Sequence, residues 1–312
     1  MAYLHAFGAY LPERVVSNAE LAARLACSAE WIEKSTGILE RRWAAERSSV
    51  AEMGAEAARA CLARAGVEAA QVGLLIVASG SAPPGFPGPA AAMAATLGLG
   101  TTPAFDLPMA SAGSLFGLAL AARLAESYGD ILVVAAEKMS AILEAHPPDR
   151  NTAILFGDGA GAALVSKRPG PWRIVDCALH SDGQFREDLA YAGISPLRMD
   201  GLSVILHASR KLPSAIQEVL GRANIAPADV AGFLLHQANR NLLDRVAKAL
   251  GVAPERIYSN IARRGNTSSA SMLIAAAEWS AQQPASPLGP IVFAAFGAGW
   301  HWGALLADNS ME

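Results

Sequence analysis

The chain of 312 residues has little charge, few aromatic side chains and hardly any cysteine. Asp, Glu, Lys and Arg make up 17% of it and leave a net charge of -3. That excludes the basic stripe of a nucleic-acid surface and the polybasic patch that draws a protein to an anionic membrane. Cys27, Cys61 and Cys177 lie far apart, with no CxxC pair and no histidine at zinc-site spacing. Neither a disulfide framework nor a Cys/His metal site is expected from them. Cys61 falls among the apolar residues of a helical pattern and is expected in the core. Each apolar run is cut by Gly, Ser or a charge short of membrane-spanning length. The N-terminal MAYLHAFGAYLPERVV has no basic segment followed by an apolar run. No secretory signal is therefore expected, and a cytoplasmic location suits the sparse cysteines. What the chain does have is apolar residues, 52% of the total, and many small ones. That is enough for a large core with closely packed helices and strands.

The chain also repeats itself. Leu62–Ala78, LARAGVEAAQVGLLIVA, runs parallel in pattern to Leu220–His236, LGRANIAPADVAGFLLH. Each ends a helix, crosses a short polar link to a valine and enters an apolar strand. Gly66 and Asn224 fall at matching places, where helices commonly stop in a left-handed residue. FGDGAGAALV from Phe156 matches FGAGWHWGALL from Phe296, with a two-residue insertion in the later copy. More loosely, a strand near Ala104–Leu107 leads into the helix after Ser111, as a strand near Ile257–Ile261 leads into the helix after Asn266. KRPGP, starting at Lys167, breaks both helix and strand and divides the chain into halves 1–168 and 169–312.

Local signals agree with alternating strands and helices. Ser49 to Glu52 is a capping box opening the helix that ends at Gly66. Asn239 can cap a helix through Leu250, with Gly251 beyond its end. Gly73–Ala78, Ile131–Ala135 and Ile291–Ala295 are short apolar runs, as expected of strands buried on both faces. SAPPGFPGP, residues 81–89, reads as a shaped loop. Two such halves imply a layered α/β fold.

Three residues could carry chemistry. Ser111 follows a strand and precedes a long Ala/Leu helix, where free N–H groups and the dipole stabilise developing negative charge. A lone serine there is more often a helix cap. His236 stands at the carboxyl end of the apolar strand Phe233–Leu235, where α/β folds place reactive groups. Asn266, in RRGNTSSAS, lies at a third strand-to-helix turn and alone would read as another cap. The equivalence of the junctions is what groups the three. Gly157–Ala162 has dinucleotide-fingerprint spacing, but that motif must open a helix, and GAALV reads as a strand before Pro169 and Pro171. No GxSxG elbow is present. The remaining histidines, His5, His146, His180, His207 and His301, lack a motif neighbour and are expected in surface or structural roles.

EWIEKSTGILERR, DLPMASAG, ILFGDGAGAAL, HQAN, RRGNTSSAS and FGAGWHWGALL together resemble the β-ketoacyl-ACP synthase III family of thiolase-like condensing enzymes. The resemblance implies a five-layered α-β-α-β-α fold of two duplicated halves and a homodimer. It implies no metal or redox cofactor. It also implies acyl-CoA or acyl-carrier-protein donors and a malonyl thioester that is decarboxylated and condensed with the acyl group. His236 and Asn266 match the pair that hydrogen-bonds the malonyl thioester carbonyl. Gly299 matches a backbone oxyanion donor, Phe86 a loop residue reaching the partner subunit's pocket, and Trp31 an aromatic at the coenzyme A entrance. Ser35 stands where many relatives carry an arginine to coenzyme A. Met109 and the segment Leu202–Leu206 are candidates for the acyl pocket.

Ser111 stands where the family carries its cysteine. A thiol at a helix N-terminus ionises readily, whereas a hydroxyl needs a nearby general base. Condensation is therefore expected to be impaired, with the decarboxylation apparatus intact. Three alternatives stand: an engineered Cys-to-Ser replacement, a natural Ser-dependent acyltransferase or starter-unit selector of a polyketide-type pathway, and a non-catalytic acyl-binding partner subunit.

Overall fold

In the computed structural model, residues 1–147, 149–283 and 289–309 are described. The second half, taken to residue 312, thus has two stretches outside them. Nine strands form the main sheet: β1 (Tyr3–Tyr10), β2 (Val72–Ala78), β3 (Ala104–Leu107), β4 (Asp130–Lys138), β5 (Asp158–Ser166), β6 (Trp172–Ser181), β7 (Gly232–Leu235), β8 (Ile291–Gly297) and β9 (His301–Asp308). Their order is β7-β8-β9-β6-β1-β5-β4-β2-β3. A short seam joins β1 to β6 through Tyr3 opposite Arg173 and Leu4 opposite Trp172.

Outward from that seam the two sides repeat. On one side β1–β5 and β5–β4 pair antiparallel, then β4–β2 and β2–β3 pair parallel. On the other side β6–β9 and β9–β8 pair antiparallel and β8–β7 parallel. The fifth position there is a single parallel bridge, Phe233 to Ile257, and Ile261 opens a short helix, Ile261–Arg264. The strand anticipated over Ile257–Ile261 is thus reduced to one bridge, because Pro254–Arg256 coils just ahead of it and that helix begins just after.

The six long helices are α1 (Val50–Ala65), α2 (Pro89–Leu97), α3 (Gly113–Tyr128), α4 (Gly201–Arg222), α5 (Arg240–Leu250) and α6 (Ser271–Gln282). Strand alternation sorts their contacts. In β2, Leu75 and Val77 join the cluster under α1 and α2, while Leu74, Ile76 and Ala78 join the central cluster with α3 and α6. In β8, Ile291, Phe293 and Ala295 face that same central cluster, and Val292, Ala294 and Phe296 face the one with α4 and α5. The result is five layers, α-β-α-β-α, with α3 and α6 sandwiched between the two sides of the sheet.

Local chemistry explains the element ends. Ser49 and Glu52 form the reciprocal capping box, and α1 stops at Gly66 with φ of 64°. Asn224, just past α4, matches it with φ of 55°. Asn239 caps α5, and Gly251 closes it in the left-handed region. The loop from Ser81 ends one residue earlier than expected, since Pro89 is already in the first turn of α2, where its missing N–H costs nothing. FGDGAGA runs into β5 and opens no helix. A Cβ on Gly161 would come within 2.6 Å of the Leu273 Cβ, so the glycine is there to let α6 lie on the strand. Cys61 is fully buried in α1. Burial pushes its thiol up to about 12.

Candidate active site

Ser111, His236 and Asn266, from opposite sides of the sheet, border one cavity of about 220 Å³. All three are buried. Most of the cavity wall is apolar, with Met139, Leu189, Met199, Val204, Ile205 and Phe296 among its lining.

Ser111 is not a helix cap. It has φ of 62°, a strained conformation for a non-glycine residue, and Ala112 stands between it and the first residue of α3. Its N–H donates to the Ser268 hydroxyl at 3.0 Å. Gly297 permits the turn: a Cβ there would lie 2.9 Å from the Ser111 Cβ and 2.3 Å from the Ala110 carbonyl oxygen.

His236 follows β7, and its N–H donates to the Ala294 carbonyl of β8 at 2.9 Å. Its Nδ1 lies 2.6 Å from the Ser271 hydroxyl, which also accepts the Gln237 N–H at 3.0 Å. Burial pushes the imidazole down to about 4, against the smaller opposing pull of the Ser268 backbone. The ring is therefore neutral at pH 7. No carboxylate hydrogen-bonds it among the described residues, so a Ser-His-Asp relay is not assembled here.

Asn266 is oriented by its own turn. Its Oδ1 accepts the Ser268 N–H at 2.9 Å, and its N–H donates to Leu155. The amide group is left as the free end, with only a long contact of 3.5 Å to the Ala238 carbonyl. Ser268, itself at φ of 46°, thus ties Asn266 to Ser111.

Between the Asn266 turn and the loop that follows β2 lies Glu137, fully buried near the end of β4. Its carboxylate accepts N–H bonds from Gly80, Ser81 and Ser269, and hydroxyl bonds from Ser79, Ser81 and Ser269 at 2.5 to 3.3 Å. A buried carboxylate is tolerable only when so fully paired. Glu137, Ser268 and Ser271 carry no local spacing signal, because the contacts that give them their roles, to Ser269, Ser111 and His236, lie 132, 157 and 35 residues away.

The other expected site residues do not all lie on the wall of this cavity. Gly299 does not border the cavity; with φ of 74° it packs against the His301 ring, and Ala298 borders the cavity in its place. Met109 is likewise off the wall, since Pro108 and Ala110 on either side of it face inward. Of Leu202–Leu206, Val204 and Ile205 line the cavity, while Leu202 and Leu206 are exposed on the other face of α4. Trp31 lies outside the lining and carries the Arg150 guanidinium 5.4 Å from its ring centre. Phe86 is 99% exposed and touches nothing in the site of its own chain. Among the described residues, no group of three or more His, Cys, Asp or Glu is placed to hold a metal ion. None of their helices is long and apolar enough to cross a membrane.

Fold and site together define a thiolase-like condensing enzyme, an acyltransferase. Family models for 3-oxoacyl-[acyl-carrier-protein] synthase III match residues 105–183 and, for its C-terminal part, 220–308. A β-ketoacyl-[acyl-carrier-protein] synthase III from Chlamydia caviae is 35% identical, covering 98% of this chain and 96% of the relative. The 3-oxoacyl-[acyl-carrier-protein] synthase III of Aquifex aeolicus superposes with a TM-score of 0.93 at 32% identity, over 99% of this chain and 100% of that one. The priming β-ketosynthase of the R1128 polyketide pathway does so with 0.90 at 32%, over 100% and 97%. The chain belongs to the β-ketoacyl-ACP synthase III family.

Proposed function

We propose that the chain decarboxylates a malonyl thioester against His236 and Asn266 and carries an acyl group, when it carries one, on residue 111. The observation that supports this most is the convergence of those three side chains on one apolar cavity. The neutral His236 ring and the Asn266 amide are two donors for a single thioester carbonyl. As the carboxylate leaves as carbon dioxide, its electron pair enters the adjoining carbon–carbon bond as an enolate, and the two donors stabilise the oxygen charge. The enolate carbon then attacks the acyl carbonyl held at residue 111, expelling the side-chain oxygen or sulfur. Ala298 is a better candidate than Gly299 for the backbone donor to that acyl oxyanion, since it borders the cavity. A free thioester, on coenzyme A or a carrier protein, is the acyl source.

Ser111 limits the acyl half-reaction. An alcohol needs a base, and an imidazole held at about 4 with only a hydroxyl behind it is a weak one. The resulting proposal is slow acylation and slow condensation with decarboxylation retained. We also propose a homodimer. Phe86, and Phe105 at 37% exposure on the edge strand β3, are apolar surface that a second copy would cover. The halves 1–168 and 169–312, and a cytoplasmic location, complete the proposal.

The test is intact mass after incubation with acyl-CoA, alongside Ser111→Cys assayed with acyl and malonyl thioesters. We expect a slow or absent adduct on the serine protein and malonyl-dependent condensation by the cysteine variant. A rapid, stable acyl-serine adduct transferred to a non-malonyl acceptor would favour a natural Ser-dependent acyltransferase instead. A cysteine variant that binds acyl thioesters without reacting would favour a non-catalytic partner.

A further inference from the structure

With its pKa near 4, His236 carries one ring proton at neutral pH, and which nitrogen holds it decides what the ring can do. Beside Asn266, an Nε2–H would donate to an enolate oxygen, whereas a bare Nε2 lone pair would repel it. This step rests on the function proposed above. The deciding contact is on the far side of the ring.

Ser271, the first residue of α6, is 2% exposed. Its oxygen accepts the Gln237 N–H at 3.0 Å, a bond in which the amide can only donate. The hydroxyl proton then needs an acceptor, because a buried donor left unpaired is destabilising. Among the described residues, the acceptor recorded for it is His236 Nδ1, 2.6 Å away. If the hydroxyl donates to Nδ1, that nitrogen holds a lone pair and the ring proton sits on Nε2. The Ser268 backbone also borders the ring and favours a proton on whichever nitrogen faces it. Were it to receive a proton from Nδ1, Nε2 would be left as an acceptor.

We propose that Ser271 is a positioning residue: its hydroxyl holds the neutral His236 as the Nε2–H form, making the ring a hydrogen-bond donor beside Asn266. Ser271 touches no reacting atom. It acts through the ring.

Protein labelled with ¹⁵N-histidine answers this, with the His236 signals identified by their loss in His236→Gln. A pyridine-type Nδ1 and a protonated Nε2 are expected in the unaltered chain. In Ser271→Ala the proton should move toward Nδ1. The kcat for malonyl-thioester decarboxylation should fall about 10- to 100-fold with KM within about twofold, a part of the loss from deleting a donor outright. Ser271→Thr, which keeps the hydroxyl, should restore both signals and rate. A protonated Nδ1 in the unaltered chain would overturn the proposal. So would a Ser271→Ala protein whose kcat is unchanged, whether or not its proton has moved. If the folded, unaltered chain releases no carbon dioxide from any malonyl thioester, the proposed function fails, while the nitrogen signals still decide the role of Ser271.

Discussion

The turn at Ser111 and the turn at Asn266 occupy equivalent places on the two sides of the sheet, yet they are built to opposite ends. Each leads from the fifth strand position into a helix of the central layer, and each contains a serine in the left-handed region, Ser111 and Ser268. Around Asn266 four side chains are engaged: its own Oδ1 on Ser268, the Ser268 hydroxyl on Ser111, Ser269 on Glu137 and Ser271 on His236, while the buried Thr267 hydroxyl has no partner among the described residues. Around Ser111 the backbone is held as firmly, but no hydrogen bond from its side-chain hydroxyl is present among the described residues. One turn is a fixed instrument and the other a socket. The side chain in the socket can change chemistry without disturbing its neighbours, which fits the proposal that a hydroxyl stands there in place of a thiol.

That contrast can be broken most forcefully from the Asn266 side. On the proposed function, His236→Ala deletes a donor aimed at developing charge, so malonyl-thioester decarboxylation should fall by roughly 10²–10³-fold in a steady-state carbon dioxide assay. Acid should expose the fixed side next. The folded-state pKa of His236 lies below its ordinary 6.5. The unfolded chain therefore binds the extra proton first, and stability is full above about 6.5 and lost as pH falls toward about 4. The loss attributable to His236 is about 3 kcal/mol at ~1.4 kcal/mol per unit. Asp158 works in the opposite sense, because burial raises its carboxyl to about 6 and favours the fold at lower pH. Denaturant titrations of the unaltered chain and His236→Gln at pH 7.5 and 4 isolate the histidine, and the gap between them should change by that amount. The smallest effect is at the link itself. Ser268→Ala removes the acceptor of the Ser111 N–H and should cost about 1 kcal/mol in the same titration.

Much of this was legible in the sequence because it is local. The capping box at Ser49, the cap at Asn239 and the left-handed stops at Gly66 and Asn224 follow from chemistry within four residues. The duplication was legible because both halves keep the same order of helix end, link and strand. Less legible is which residue of a tight turn faces the cavity. The motifs point to Gly299 and Met109, whereas Ala298, Pro108 and Ala110 beside them border the cavity, because each one-residue step in a tight turn changes which group faces inward. Glu137 and Ser271 are illegible in the sequence for another reason. Glu137 meets Ser269 across 132 residues, and the hydroxyl of Ser271 matters only because a histidine 35 residues away lies against it. A serine within a Ser/Ala run reads as helix filler until its partner is known.

The most direct test of a fixed decarboxylation side and a replaceable socket is carbon dioxide release from a malonyl thioester by Ser111→Ala and Asn266→Ala, measured side by side with the unaltered chain. The account predicts that Ser111→Ala keeps a rate within a few-fold, whereas Asn266→Ala loses roughly 10²-fold or more. Equal loss in both, or none in Asn266→Ala, would contradict it.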